Sequence, residues 1–198
     1  LVRWFALAVL VSQVLISITG SVVRVTGSGL GCPTWPQCFP GSMVPVAHPE
    51  VDAINQVIEF GNRVLGLVVG LVAIGAFVAA YRARPYRPRL VRMAAALPVG
   101  VLAQGVIGGI TVWLNLEWWS VAIHFLASTV LICLATFLFV AASEGDRPAT
   151  WVITGRMRKL LVALGIVITA TLVAGTLVTA AGPHAGDAET ARLDLPIT

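Results

Sequence analysis

The sequence predicts an all-α polytopic membrane protein, with a four-helix transmembrane bundle followed by the first helix of a second, repeated bundle. Hydrophobic residues make up 58% of the 198 residues and charged residues only 11%, whereas soluble domains carry roughly 25% charged residues. The mean hydropathy is +0.91. So much apolar surface excludes both a water-soluble monomer and a disordered chain. Five apolar runs each reach the length of about 20 residues that a bilayer crossing requires.

The predicted spans cover about residues 4–23, 57–81, 91–113, 120–142 and 160–181. The first run is too long for the apolar part of a signal peptide, and no cleavage site leads from it into a soluble domain. We therefore interpret it as a true span. Trp113, Trp118 and Trp119 flank the turn between the third and fourth spans, where indole rings favour the membrane interface.

Charge predicts how these spans are oriented. Ten of the 13 Lys and Arg residues lie near the N-terminus or in the connections after the second and fourth spans, and the remaining loops are mostly acidic. The positive-inside rule therefore puts the N-terminus in the cytoplasm, and the long loop 24–56 and the C-terminus outside. The basic residues are explained as charges that orient the spans, so we expect no binding to nucleic acid.

A weak internal repeat predicts the domain organisation. The segment GSVVRVTG at 20–27 is similar to GTLVTAAG at 175–182, and both close a span on the same side of the membrane. This indicates a four-helix unit that begins again at the fifth span. We expect a first half at residues 1–145, and at 146–198 a cytoplasmic loop and the first helix of a truncated second half.

Ionisable residues inside a span are expensive and are usually functional. Glu59, Asn62 and Arg63 open the second span at i, i+3 and i+4, so they share one helix face. One interpretation is an ion pair of Glu59 with Arg63 that anchors the helix end. The other is a carboxylate directed into the bundle, held by a guanidinium that can also bind an anionic ligand.

Histidine and cysteine supply the other candidates. His124 lies about one turn inside the fourth span, on the same membrane side as Glu59, where it either hydrogen-bonds a neighbouring helix or ligates a metal or haem iron. Cys32 and Cys38 lie in the long loop, where an oxidising compartment favours a disulfide. Metal binding there would need more ligands than the nearby His48. His184 follows the fifth span, as a solvated residue or as the roof of a site.

The segment GSVVRVTGSGLGCPTWPQC at 20–38 resembles the first outer loop of bacterial haem A synthases. IEFGNR at 58–63, AIHF at 122–125 and GPHAGD at 182–187 lie where that family carries its next signatures, so the resemblance covers the whole chain. The family is an eight-helix bundle of two related halves. The resemblance therefore implies eight spans where five are seen here.

The resemblance also implies a haem-dependent membrane oxidoreductase of the bacterial plasma membrane, which oxidises a ring methyl of haem O to the formyl group of haem A for cytochrome oxidase. The family's catalytic glutamate matches Glu59, its haem-ligating histidine matches His124, and its cysteine pair matches Cys32 and Cys38. Haem b is the implied cofactor and haem O the substrate. Membrane lipid and the farnesyltransferase that produces haem O are the implied partners.

One position departs from the family. Asn62 stands where the family commonly has histidine, which leaves His124 as the one strong axial ligand of this half and an open iron face. Charge and placement suggest Arg24 and Arg63 as partners of the haem propionates, so the cofactor-binding candidates are His124, Arg63, Arg24 and Asn62. Two other functions stay open: a haem-binding electron-transfer subunit, and a small-solute transporter with Glu59 and Arg63 lining its site.

Overall fold

The computed structural model describes residues 1–144, 152–183, 185–187 and 190–194. These residues form five helices, α1 (Val2–Val25), α2 (Ala53–Arg82), α3 (Pro88–Trp113), α4 (Trp118–Ser143) and α5 (Gly155–Ala181). Each helix is long and apolar enough to span a membrane. The same residues contain no β-strand, only an isolated bridge between Phe39 and Ser42. The predicted all-α, multi-pass membrane fold is thus confirmed, whereas His184 and the connection at 145–151 lie outside the described residues.

Local sequence explains where these helices begin. Pro88 opens α3, because its fixed φ suits a first helical turn and its missing N–H would be unpaired there anyway. Thr154 caps α5, and its side chain accepts a hydrogen bond from the Met157 amide at 3.3 Å. Helix α2 begins at Ala53, four residues before the predicted span. The Asn55 side chain of this added turn accepts a hydrogen bond from Ser28 Oγ at 3.1 Å, so the preceding loop holds the turn in place.

The first four helices form a ring. Helix α1 packs against α2 and α4, and α3 packs against the same two helices, while the backbones of the diagonal pairs stay farther apart. Short connections at 83–87 and 114–117 make sequential neighbours antiparallel. Of the described helices, only α4 contacts α5. The ring has two ends, and we call the one that carries Cys32 and Cys38 the loop end.

Small residues close the ring at the opposite end. A buried apolar cluster there draws on all four helices, and it comprises Ala6, Val9, Ala73, Ala76, Ala80, Leu90, Val91, Ala94, Leu97, Ala135 and Leu138. The alanines bring the helix backbones close together. Arg87 adds hydrogen bonds to the carbonyls of Ala141 and Glu144, at 2.9 and 2.8 Å. Polar side chains of the spans lie instead between this cluster and the loop end, which places the candidate site there.

The segment after α5 returns to the loop end. The Gly29 amide donates to the Gly186 carbonyl at 2.8 Å, and the Leu193 amide donates to the Ala180 carbonyl at 3.1 Å. The C-terminal ends of α1 and α5 therefore lie on the same side of the bundle, as the internal repeat predicts. The proposed division at residue 145 and a second bundle remain predictions.

Candidate active site

The predicted disulfide is confirmed. Cys32 and Cys38 are joined, with their Cα atoms 4.3 Å apart, and both residues are buried. Phe39 completes this small cluster, and Val51 and Phe60 pack against it. We call residues 26–52 the cysteine loop. It joins α1 to α2 and has its own small apolar cluster around the disulfide. Glu59 and Arg63 of α2 bind the backbone of this loop.

Glu59 and Arg63 attach the cysteine loop to α2. The Glu59 side chain is buried; its Oε2 accepts a hydrogen bond from the Cys32 amide at 2.6 Å. Its Oε1 accepts from Arg63 Nη2 at 2.6 Å and from Arg63 Nε at 3.0 Å, so two guanidinium N–H groups converge on one oxygen of the ion pair. The ion pair that the sequence suggested for these two residues is therefore present. The other oxygen of Glu59 binds the cysteine loop directly.

Arg63 extends the attachment to three loop carbonyls. Its Nη2 donates to the Cys32 carbonyl at 2.7 Å, and its Nη1 donates to the carbonyls of Thr34 at 2.9 Å and Gln37 at 3.2 Å. Arginine offers five N–H donors in a fixed planar arrangement, and this guanidinium directs all three nitrogens at Glu59 or the loop. Backbone carbonyls that are withdrawn from water need such donors. The pair therefore holds the disulfide segment against α2.

Trp35 attaches the same loop to α3. The Trp113 indole N–H donates to the Trp35 carbonyl at 3.0 Å, and the two rings meet edge to face with centroids 5.4 Å apart. Gly109 makes this possible, because a Cβ at that position would clash with the Trp35 ring. Sequence reasoning assigned Trp113 to the membrane interface and overlooked Trp35. The adjacent glycines 108 and 109 in α3 were the available signal.

His124 packs against the neighbouring glycine of α3. A Cβ on Gly108 would lie only 3.3 Å from His124 Cε1, so the glycine leaves room for the ring. The His124 Nδ1 atom is buried and has no hydrogen-bond partner among the described residues. Buried polar atoms without partners are rare in native proteins. An unpaired imidazole between two membrane helices therefore suits a ligand that the protein itself does not supply.

A second polar side chain lies beside His124. The Gln104 amide nitrogen donates to the His124 carbonyl at 3.1 Å and to Ser128 Oγ at 2.5 Å. Its Oε1 is buried without a partner in the described part of the chain. No group of three or more His, Cys, Asp or Glu side chains that could hold a metal ion occurs among these residues. A single imidazole fits haem, because the porphyrin nitrogens supply most of the ligands of the iron and the protein need not provide a cluster of its own.

Asn62 and Arg24 stand on α2 and α1, not on the α3–α4 pair that carries His124. Asn62 Oδ1 accepts a hydrogen bond from Thr19 Oγ1 at 2.7 Å, so this amide bridges α1 and α2, and it borders an apolar cavity of about 250 Å³ between those helices. Arg24 occupies the last turn of α1 and is partly buried. The structure thus unites the glutamate, the arginine and the cysteine pair in one cluster. It places His124 with Gln104 and Ser128 on the α3–α4 side.

Comparison with known proteins gives a consistent result. The family described as cytochrome oxidase assembly protein (COX15-CtaA) matches residues 3–188. The chain is similar to a protein named Heme A synthase from Exiguobacterium sp., with 31% identity over 82% of this chain and 52% of that protein. A Heme A synthase from Geobacillus kaustophilus is 28% identical over 89% of this chain and 55% of that protein.

The Heme A synthase of Symbiobacterium thermophilum shows 31% identity over 74% of this chain and 46% of that protein. The chain spans about half the length of the curated relatives it matches. No solved structure matches the chain.

Proposed function

Since this chain belongs to the cytochrome oxidase assembly protein family, COX15-CtaA, we propose that it acts as a haem A synthase and oxidises a ring methyl of haem O to the formyl group of haem A. The observation that carries the proposal is the His124 imidazole, which packs on Gly108 and whose buried Nδ1 has no hydrogen-bond partner in the described part of the chain. Relatives named Heme A synthase support the same reaction. The product would serve cytochrome oxidase.

Haem supplies the redox chemistry, because no side chain can take hydrogen from an unactivated methyl group. His124 would hold the iron, and Gln104 supports it by binding the His124 carbonyl. Glu59 and His124 both lie six residues inside their helices, about 9 Å from the loop end. At that shared depth the Glu59 carboxylate would stabilise charge or move protons at the methyl group. The cysteine loop, which is attached to α2 and α3, would exclude water.

Two arginines are proposed for the haem propionates. Arg63 already makes five hydrogen bonds to Glu59 and to loop carbonyls, so a propionate would have to replace one of those carbonyls. Arg24 stands in the last turn of α1, at the same end of the bundle. A propionate at either arginine would bring the haem edge towards the loop end.

We propose haem b as the resident cofactor and haem O as the substrate. In this half the Asn62 amide bonds to Thr19, and an amide is in any case a poor iron ligand, so His124 is the residue that would hold the iron. A site with one strong protein ligand would suit a substrate haem better than a haem that only carries electrons. The farnesyltransferase that makes haem O is the proposed partner, because its product must pass to this protein within the membrane.

The proposed location is the bacterial plasma membrane, with the N-terminus in the cytoplasm and the cysteine loop outside. The loop end and the opposite end of the bundle differ in charge, and the Arg-rich connection at 83–87 lies at the opposite end. At Arg87 we expect activity from a reporter that works only in the cytoplasm. At Val46 we expect activity from a reporter that works only outside it. The reverse pattern would contradict this orientation.

The proposed reaction is tested by purifying the full-length protein from a host that makes haem O. We expect a Soret absorption band, and we expect extracted pigment to contain haem A. Protein without a Soret band would support the transporter instead. A Soret band with no conversion of haem O would identify an electron-transfer subunit.

A further inference from the structure

We propose that Gln104 recognises the hydroxyl group that distinguishes haem O from haem b, which makes it a specificity-determining residue. Haem O carries a hydroxyethylfarnesyl side chain where haem b carries a vinyl group. This inference rests on the proposed function, because it concerns the substrate of the same site. It follows from the orientation of one buried amide.

The hydrogen-bond partners of Gln104 determine which atom of its side-chain amide is the nitrogen and which is the oxygen. The end assigned as nitrogen lies 3.1 Å from the His124 carbonyl oxygen, and a carbonyl oxygen can only accept. The same end lies 2.5 Å from Ser128 Oγ, and Ser128 donates its own proton to the His124 carbonyl at 3.0 Å. The His124 carbonyl therefore requires the NH₂ group, since a flipped amide would set its oxygen against that carbonyl, and Ser128 Oγ accepts the second N–H.

The other end of the amide is an acceptor with nothing to accept from. Gln104 Oε1 is buried and has no hydrogen-bond partner among the described residues. Leaving a buried acceptor unsatisfied is destabilising, so this atom indicates a ligand that brings a donor. On a metallated haem the ring nitrogens carry no proton, ionised propionates only accept, and methyl and vinyl groups do neither. The side-chain hydroxyl of haem O is the donor that remains.

Gln104 lies one helical turn from the glycine on which the proposed iron ligand packs. It precedes Gly108, the contact of the His124 ring, by four residues or one helical turn, about 6 Å along α3. On α1, which also packs against α4, Gln13 is buried with an unpaired amide nitrogen. The bundle thus holds a second buried amide with an atom that lacks a partner among the described residues, on a different helix from Gln104.

The test measures binding rather than turnover. Full-length wild-type protein, Gln104→Leu and Ser128→Ala are each titrated with haem O, with haem b and with haem O whose hydroxyl is methylated, and the dissociation constants are read from absorption difference spectra. We expect wild-type protein to prefer haem O over the methylated compound by about tenfold, the typical effect of one buried hydrogen bond. Gln104→Leu should lose this preference and keep its affinity for haem b. Ser128→Ala should retain the preference, because the His124 carbonyl still orients the amide and Oε1 stays in place.

The methylated haem keeps the proposal testable even if Gln104→Leu does not fold, since wild-type protein alone must distinguish the two compounds. Equal affinity of wild-type protein for them would overturn the inference. A preference that persists in Gln104→Leu, or an equal loss of affinity for all three haems, would do the same. Wild-type protein that binds none of them would instead refute the proposed function, and the inference with it.

Discussion

Glu59→Gln is expected to retain bound haem but to lower the conversion of haem O to haem A by about 10²–10⁴-fold, the usual contribution of a positioned acid or base. The amide of glutamine can still accept the hydrogen bond that Glu59 Oε2 receives from the Cys32 amide at 2.6 Å. It cannot carry the negative charge or pass on a proton. Pigment extracted from the full-length variant should therefore contain haem O or a hydroxylated intermediate in place of haem A.

Two companion variants separate catalysis by Glu59 from anchoring of the cysteine loop. Arg63→Gln removes the ion pair and weakens the contacts with the carbonyls of Cys32, Thr34 and Gln37, but it leaves the carboxylate in place. If Glu59 is catalytic, its variant should be much less active than Arg63→Gln. Equal defects would identify Glu59 as an anchor, and a wild-type yield of haem A from Glu59→Gln would remove the catalytic role altogether. Glu50→Gln, at an exposed acid in the same loop, should behave as wild type.

His124→Ala is expected to weaken haem binding by this half of the protein by more than the roughly 10–100-fold that loss of an outer-shell partner of a metal site causes. Alanine offers no iron ligand. Asn62 is not a ready replacement, because an amide is a poor iron ligand and this one already bonds to Thr19 on α1. Titration of the full-length variant with haem O, followed by its Soret absorption, gives the dissociation constant.

His48→Ala is the matched control for this measurement. His48 lies exposed in the cysteine loop and stacks on Phe39 with ring centroids 5.1 Å apart, so its loss should leave haem binding unchanged. Full affinity for haem O in His124→Ala would contradict the assignment of His124 as the ligand. It would favour the alternative in which this imidazole only packs between α3 and α4.

The sequence by itself determined the features that depend on neighbouring residues. Hydropathy predicted five spans, because each run must match the thickness of a bilayer whatever its neighbours are. Spacing put Glu59 and Arg63 one helical turn apart, and the structure shows the ion pair. Two cysteines only six residues apart joined as expected. Each of these properties depends only on residues that are close in the sequence, so a single sequence is enough to predict them.

The tertiary structure decided how the helices are ordered and rotated, and with that the composition of the site. The order of the ring brings Trp35 to Trp113 across 78 residues and Arg63 to Thr34 across 29. Helix rotation turns Asn62 towards Thr19 and pairs Gln104 with the His124 carbonyl. In helices that face lipid, apolar residues cover nearly the whole circumference. Their spacing therefore carries little information about how each helix is rotated about its axis. Close contacts at alanine and glycine set that rotation, and they exist only once the helices have packed together.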